Sequence, residues 1–155
     1  MNDIFCVERP FSEWEIHGFA NRKAHLYSKL TSTHRYSKEN ISEFDVGDVL
    51  VADAQSSGRG RHERTWLSPE GKNLYFNILF SLEGFLPLQY PQLMQITAIS
   101  LAQFFRAIGV NASVKWPNDI LCEKKKFCGM ISEILVKDGK KILTIGIGID
   151  VNATA

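Results

Sequence analysis

The sequence predicts an α+β domain built on a mixed, largely antiparallel sheet flanked by helices. Most β-type runs follow one another directly, which favours antiparallel pairing over βαβ crossovers. One long run, Pro91 to Ile108, spaces its apolar residues as a helix does. Asp138-Gly139 sits between two β-rich runs and is a strong hairpin signal.

Taken in chain order, residues 1–22 mix aromatic and charged side chains without a period and receive no assignment. His25 to Leu30 reads as a short strand. Ser32 or Thr33 then suits the cap of a helix reaching about Phe44, because a hydroxyl accepts from free backbone N–H groups. Asp48 to Ala54 is a buried-type strand, and residues 55–72, rich in Gly, Ser and charge, read as a loop. Asn73 to Ser81 alternates, with Leu74, Phe76, Ile78 and Phe80 on one side of a half-buried strand. The long helix is seeded by Pro91 and stopped by Gly109. Ala112 to Trp116 is a short strand ended by Pro117. Phe127 to Lys137 and Lys141 to Val151 form the predicted hairpin.

Composition narrows the class. The chain has 155 residues, 45% hydrophobic and 23% charged, which suits one globular domain with its own core. A formal net charge of +1 gives no global field towards nucleic acid or anionic membrane. Cys6, Cys122 and Cys128 show neither disulfide nor metal spacing, so reduced thiols in a cytoplasmic protein are expected. Asp3, Glu8 and the lack of a long apolar run argue against a signal peptide or membrane span.

Four segments carry chemistry. In Gln55 to Trp66, three arginines (Arg59, Arg61, Arg64) are interleaved with Gly58 and Gly60. Guanidinium groups match carboxylate and phosphate oxygens in pairs, and glycines let backbone fold close to a ligand. An anion-binding loop, a solvated basic turn and an Arg-Gly nucleic-acid contact are all compatible with it. Lys115-Trp116-Pro117-Asn118-Asp119 sets a cation, an amide and a carboxylate at a strand end, suited to phosphate, Mg²⁺ or a hydroxyl, or simply to a polar turn. Lys124-Lys125-Lys126 precedes an apolar strand and Gly129; it is either a solvated turn or the entry of a functional lysine. Gly146 to Asn152 alternates Gly and Ile, leaving one strand face bare for a flat ligand or for tight packing.

Each segment is weak alone, but their order and spacing resemble the catalytic domain of the biotin–protein ligases, also called biotin–[acetyl-CoA-carboxylase] ligases. The matching pieces are Ser32-Thr33, Gln55 with Gly58 to Arg61, Arg64 to Trp66, Ser68-Pro69 with Gly71 to Tyr75, Lys115 to Asp119, Lys126 with Gly129 to Glu133, and Gly146 to Asn152. They span about residues 25–152.

The resemblance implies a fold like class II aminoacyl-tRNA synthetase cores. It implies activation of biotin by ATP, with Mg²⁺, to biotinyl-5′-AMP, then transfer to a lysine of the biotin carboxyl carrier protein of acetyl-CoA carboxylase. It assigns Ser32, Thr33 and Gln55 to the biotin ureido ring, Gly58 and Arg59 to a cover over biotin, and Gly129 and Ile131 to the pocket wall. Lys126 and Arg61 would meet the carboxylate and phosphate, with Lys115 and Asp119 in the same catalytic set. Arg64, Trp66, Asn118, Gly148 and Asp150 would face the nucleotide; no metal ligand set follows. Adenylation presses two anions together, so fixed cations suit it, and no protein nucleophile is needed.

Residues 1–155 are expected to be one catalytic domain, without the helix-turn-helix or the small β-barrel that relatives carry. DNA binding is therefore not expected, and a homodimer rests on analogy. Three positions depart from the family: His34 stands for the usual Asn, Glu63 for a loop Gly, and Asp150 for an Asn. They motivate two other readings, a biotin-binding module with a degenerate nucleotide site and, from the shared fold, a lipoate–protein ligase.

Overall fold

A computed structural model describes residues 22–152; the unassigned stretch through residue 21, including Cys6, lies outside them. Among the described residues, seven strands form one sheet: β1 Ala24–Leu30, β2 Val49–Gln55, β3 Leu74–Ser81, β4 Ala112–Lys115, β5 Asp119–Cys122, β6 Lys125–Lys137 and β7 Lys140–Ile149. Their order is β1-β2-β3-β7-β6-β5-β4. Only β1 and β2 run parallel; every other neighbouring pair is antiparallel. Helix α1 (Thr33–Glu39) makes the crossover between the parallel strands, and α2 (Tyr90–Ala107) follows β3.

The two helices cover opposite faces, and strand alternation explains how. On β7, Leu143, Ile145, Ile147 and Ile149 point into a core shared with Ala98, Ala102 and Phe105 of α2. The alternate residues, Ile142, Thr144, Gly146 and Gly148, face the α1 side. There Phe44, Leu50, Leu79 and Ile142 make a second, smaller core. Ala98 and Ala102 are small enough to let α2 lie close on the sheet. Ile96 and Phe104, which the spacing placed on the apolar stripe, are instead 57% and 54% exposed.

Three expectations need correction. The first helix stops at Glu39, and a 3₁₀ turn over Ile41–Glu43 carries the chain on to Phe44. The Asn40 side chain bonds back to the Tyr36 carbonyl (2.9 Å) and ends the helix. On β3 the more deeply buried face is Tyr75, Asn77 and Leu79, not the Leu74–Phe80 set. Asn77 reads as a surface residue but is fully buried, because Ser37 and Thr144 satisfy its amide. Strand β5 was not foreseen. Its turn into β6 places Glu123 and Lys124 at φ 49° and 68°, without the Gly or Asn that usually marks such a turn. The Asp138-Gly139 turn, at φ 50° and 74°, follows the rule.

Candidate active site

The carboxyl ends of the parallel strands β1 and β2 open next to each other. Ser32 and Thr33 follow β1, and Gln55 ends β2. Ser32 caps α1, its Oγ accepting from Arg35 N (3.5 Å). Thr33 donates to Gln55 Oε1 from its backbone N (2.8 Å) and from Oγ1 (3.2 Å). Gln55 Nε2 donates to Ser68 Oγ (2.8 Å), which donates to the Trp66 carbonyl (3.0 Å). This chain fixes the Gln55 amide and ties it to the base of the arginine-glycine loop.

The loop is a ladder that folds back over the sheet. Trp66 N donates to the Gly58 carbonyl (2.9 Å), Gly60 N to the Arg64 carbonyl (2.7 Å), and Arg59 bridges Thr65. Its tip is a 3₁₀ turn, Arg61–Glu63, with His62 and Glu63 at φ 55° and 60°. Glu63 thus occupies a left-handed position that glycine fills without strain. Behind the tip, Arg61 Nη1 donates to Asn118 Oδ1 (2.8 Å). Asn118 in turn donates to the Met130 carbonyl (3.0 Å) and to Asp119 Oδ1 (3.2 Å).

Lys126 completes the charged end. Its Nζ is 2.7 Å from Asp119 Oδ1 and 5.1 Å from the Trp66 ring centroid. A β-bulge aims it. Ile120 and Leu121 pair with Cys128 and Lys126, leaving Phe127 as the extra residue on β6. Phe127 and Cys128 therefore both face α2, where Phe127 packs on Phe105 (centroids 4.8 Å apart), and Lys126 turns to the other face.

The floor is bare backbone. Gly129 lies opposite Gly148 across β6 and β7, and Gly146 lies opposite Ile131. A Cβ on Gly148 would stand 2.5 Å from the Trp66 indole, and one on Gly129 would stand 2.9 Å from Lys126 and Trp66. Among the described residues, the buried Trp66 Nε1 donor has no hydrogen-bond partner.

One pocket gathers Ser32, Thr33, Gln55, Arg59, Arg61, Trp66, Asn118, Lys126, Gly129, Ile131 and Gly148, eleven of the residues assigned from sequence. Gly58 lies beneath it, against the Trp66 carbonyl and Ser68. Asp119 stands one layer out, through Lys126. Lys115 and Arg64 are exposed and are not among the residues that line the pocket. Lys115 pairs with Asp119 across β4 and β5 and so shares that residue's face of the sheet, at the end of the edge strand β4. Asp150 also lies outside the lining. It accepts from Asn73 Nδ2 (3.1 Å), and burial pushes its carboxyl above the ordinary value despite the pull of Lys126. Burial pushes the Cys128 thiol up to about 12, so it is no nucleophile at neutral pH. Among the described residues, no three His, Cys, Asp or Glu gather as a metal site.

Sequence reasoning missed His34, Gly60, Met130, Gly146 and Ile147 in the lining. Gly146 was signalled by the Gly/Ile alternation; nothing signalled which way His34 points. Burial lowers the His34 pKa from its ordinary 6.5, outweighing the opposite pulls of Asn77 and Glu133. The unfolded chain then takes up a proton near pH 6.5 that the folded one resists. Stability should therefore fall as pH drops through this value towards the folded pKa, and level off below it. Urea midpoints at pH 7.5 and 5 should differ less in His34→Asn; an unchanged difference would remove His34 as the source.

Comparison with known proteins agrees with this geometry. Residues 26–152 match the biotin/lipoate A/B protein ligase family, and the chain belongs to that family. The bifunctional ligase/repressor BirA of Bacillus subtilis (strain 168) is 37% identical over 130 residues, which cover 82% of this chain and 38% of BirA. BirA of Escherichia coli (strain K12) is 36% identical over 123 residues, 78% of this chain and 38% of that protein. The structure of the biotin protein ligase from Aquifex aeolicus in complex with biotin and ATP superposes with a TM-score of 0.69 at 36% identity, covering 88% of this chain and 55% of that one. The chain thus spans well under half the length of these two curated relatives.

Proposed function

We propose that the chain carries the acid-activating site of a biotin–protein ligase. The observation that carries this reading is the polarity of the pocket. One end holds Lys126, Arg61 and the Asn118-Asp119 pair, and the other is walled by Thr33, Gln55, Ile131 and the bare Gly146. A molecule with an uncharged ring system and a terminal carboxylate fits that gradient.

In this reading Thr33 and Gln55 hold the ureido ring and the biotin carboxylate meets Lys126. A carboxylate oxygen attacks the α-phosphorus of ATP, and pyrophosphate leaves. Lys126 and Arg61 offset the repulsion of the two anions in the transition state. Trp66 and the loop ladder keep water from the mixed anhydride until a carrier lysine amine attacks the carbonyl and AMP departs. Mg²⁺ would neutralise polyphosphate charge, and Asp119 is the carboxylate of this pocket's charged end that would help hold it. The finer assignments of a carrier domain from acetyl-CoA carboxylase, a homodimer and a cytoplasmic setting belong to the same proposal.

Glu63 lines only the open neighbouring cavity and Asp150 is bonded to Asn73, so neither carboxylate stands in the pocket that holds Lys126 and Arg61. The test is incubation of this chain with biotin, Mg-ATP and a carrier domain. Pyrophosphate and labelled carrier are expected. Biotin binding that ATP leaves untouched, with no adenylate formed, would reject the ligase reading in favour of a binding module.

A further inference from the structure

We infer that His34 is the partition that closes the ring end of this pocket and decides which ring systems enter. The inference rests on the biotin reading above. Two cavities meet at this point. One is the pocket over the glycine floor; the other is open and reaches Met94, Ser132 and Glu133. Besides the loop residues Arg59, Gly60 and Arg61, only His34 and Ile131 line both. Both converge on Gly146: a Cβ there would stand 3.1 Å from His34 Cβ and 3.3 Å from Ile131 Cγ1. Gly146 and Gly148 are two residues apart on β7, about 7 Å along an extended strand. A ligand whose carboxylate lies at Lys126, beside Gly129 and Gly148, therefore extends its rings towards His34.

A partition selects by size only if it is stiff. Ser37 Oγ donates to the His34 carbonyl (2.9 Å) and accepts from Asn77 Nδ2 (3.0 Å). That bond orients the Asn77 amide and leaves Oδ1 towards His34 Nδ1, 3.3 Å away. Nδ1 must then carry the hydrogen. On the other edge of the ring, Nε2 stands 3.6 Å from Glu133 Oε2, and Glu133 is itself held by Lys38. The imidazole is anchored at Nδ1 by the fully buried Asn77 amide and is itself buried, so it does not rotate aside as a flexible chain would. Removing it joins the two cavities and leaves room beyond the rings.

The experiment measures, by calorimetry, the affinities of biotin and of two ring-enlarged biotins, one ethylated on a ureido nitrogen and one on the thiophane ring. The proteins are the unaltered chain, His34→Ala and His34→Phe. In His34→Ala, at least one enlarged ligand should gain about ten-fold or more relative to biotin, the scale on which pockets discriminate small apolar groups. His34→Phe keeps the bulk without the hydrogen bonds and should still reject both. Ile131→Ala thins the same partition without touching Asn77 and should show the same gain if His34→Ala fails to fold. Unchanged selectivity in a folded His34→Ala, or in Ile131→Ala where His34→Ala does not fold, overturns the inference while leaving the biotin reading intact. Failure of the unaltered chain to bind biotin removes both.

Discussion

Replacing Lys126 with Ala should lower adenylate formation by about a thousand-fold, on the scale of about 4 kcal/mol for one well-placed charge donor. Two effects add. The cation that would meet the carboxylate and α-phosphate is lost. Asp119, now 2.7 Å from Lys126 Nζ, loses its ion-pair partner, retains only the Asn118 amide and repels the incoming polyphosphate. Lys126 is 41% exposed, so the fold should survive. Single-turnover pyrophosphate release measures the chemical step, and calorimetry reports biotin binding separately. Lys126→Arg should recover part of the rate, since it keeps the charge in another shape. Unchanged turnover in Lys126→Ala would remove the residue from the reaction.

Gly58→Ala should be the most damaging one-carbon change in the loop. The new Cβ would stand 2.4 Å from the Trp66 carbonyl oxygen, 2.6 Å from Ser68 Oγ and 3.0 Å from Gln55 Nε2. The nearest of these is backbone and cannot rotate away. The ladder at Trp66 must open, and the Ser68–Gln55–Thr33 chain goes with it. A loss of about 1–3 kcal/mol of stability is expected from the overpacking, with biotin affinity falling about ten- to a hundred-fold. Gly60→Ala is the control: its Cβ would meet nothing closer than 3.5 Å. Melting curves and calorimetry on both variants check the contrast, and equal behaviour would refute it.

Why sequence saw one glycine loop but not the difference between its glycines is physical. Periodicity and turn chemistry are local, so β1, β2, the long helix and the Asp138-Gly139 hairpin were legible. The family motifs then located eleven pocket residues. What stayed hidden depends on pairing between distant segments. The bulge at Phe127 turns Lys126 into the pocket, and nothing in the run of three lysines says which one turns. Lys115 matches a motif and shares a sheet face with Asp119, yet it is exposed and outside the pocket lining. Strand β5 escaped because Glu123 and Lys124 hold a turn that usually takes Gly or Asn. Asn77 looked solvent-facing because its partners, Ser37 and Thr144, lie 40 and 67 residues away.

The alternation of Gly and Ile on β7 links assembly to recognition. Its isoleucines fill the α2 core, and its glycines leave space on the opposite side, where Trp66 and His34 pack over them beside the pocket. A pairing error of one residue would swap the two sets. Isoleucine side chains would then block the cavity, and the core would lose its filling at the same step. A mispaired chain cannot pass as a weak binder, because one slip removes both the cavity and the core that supports it.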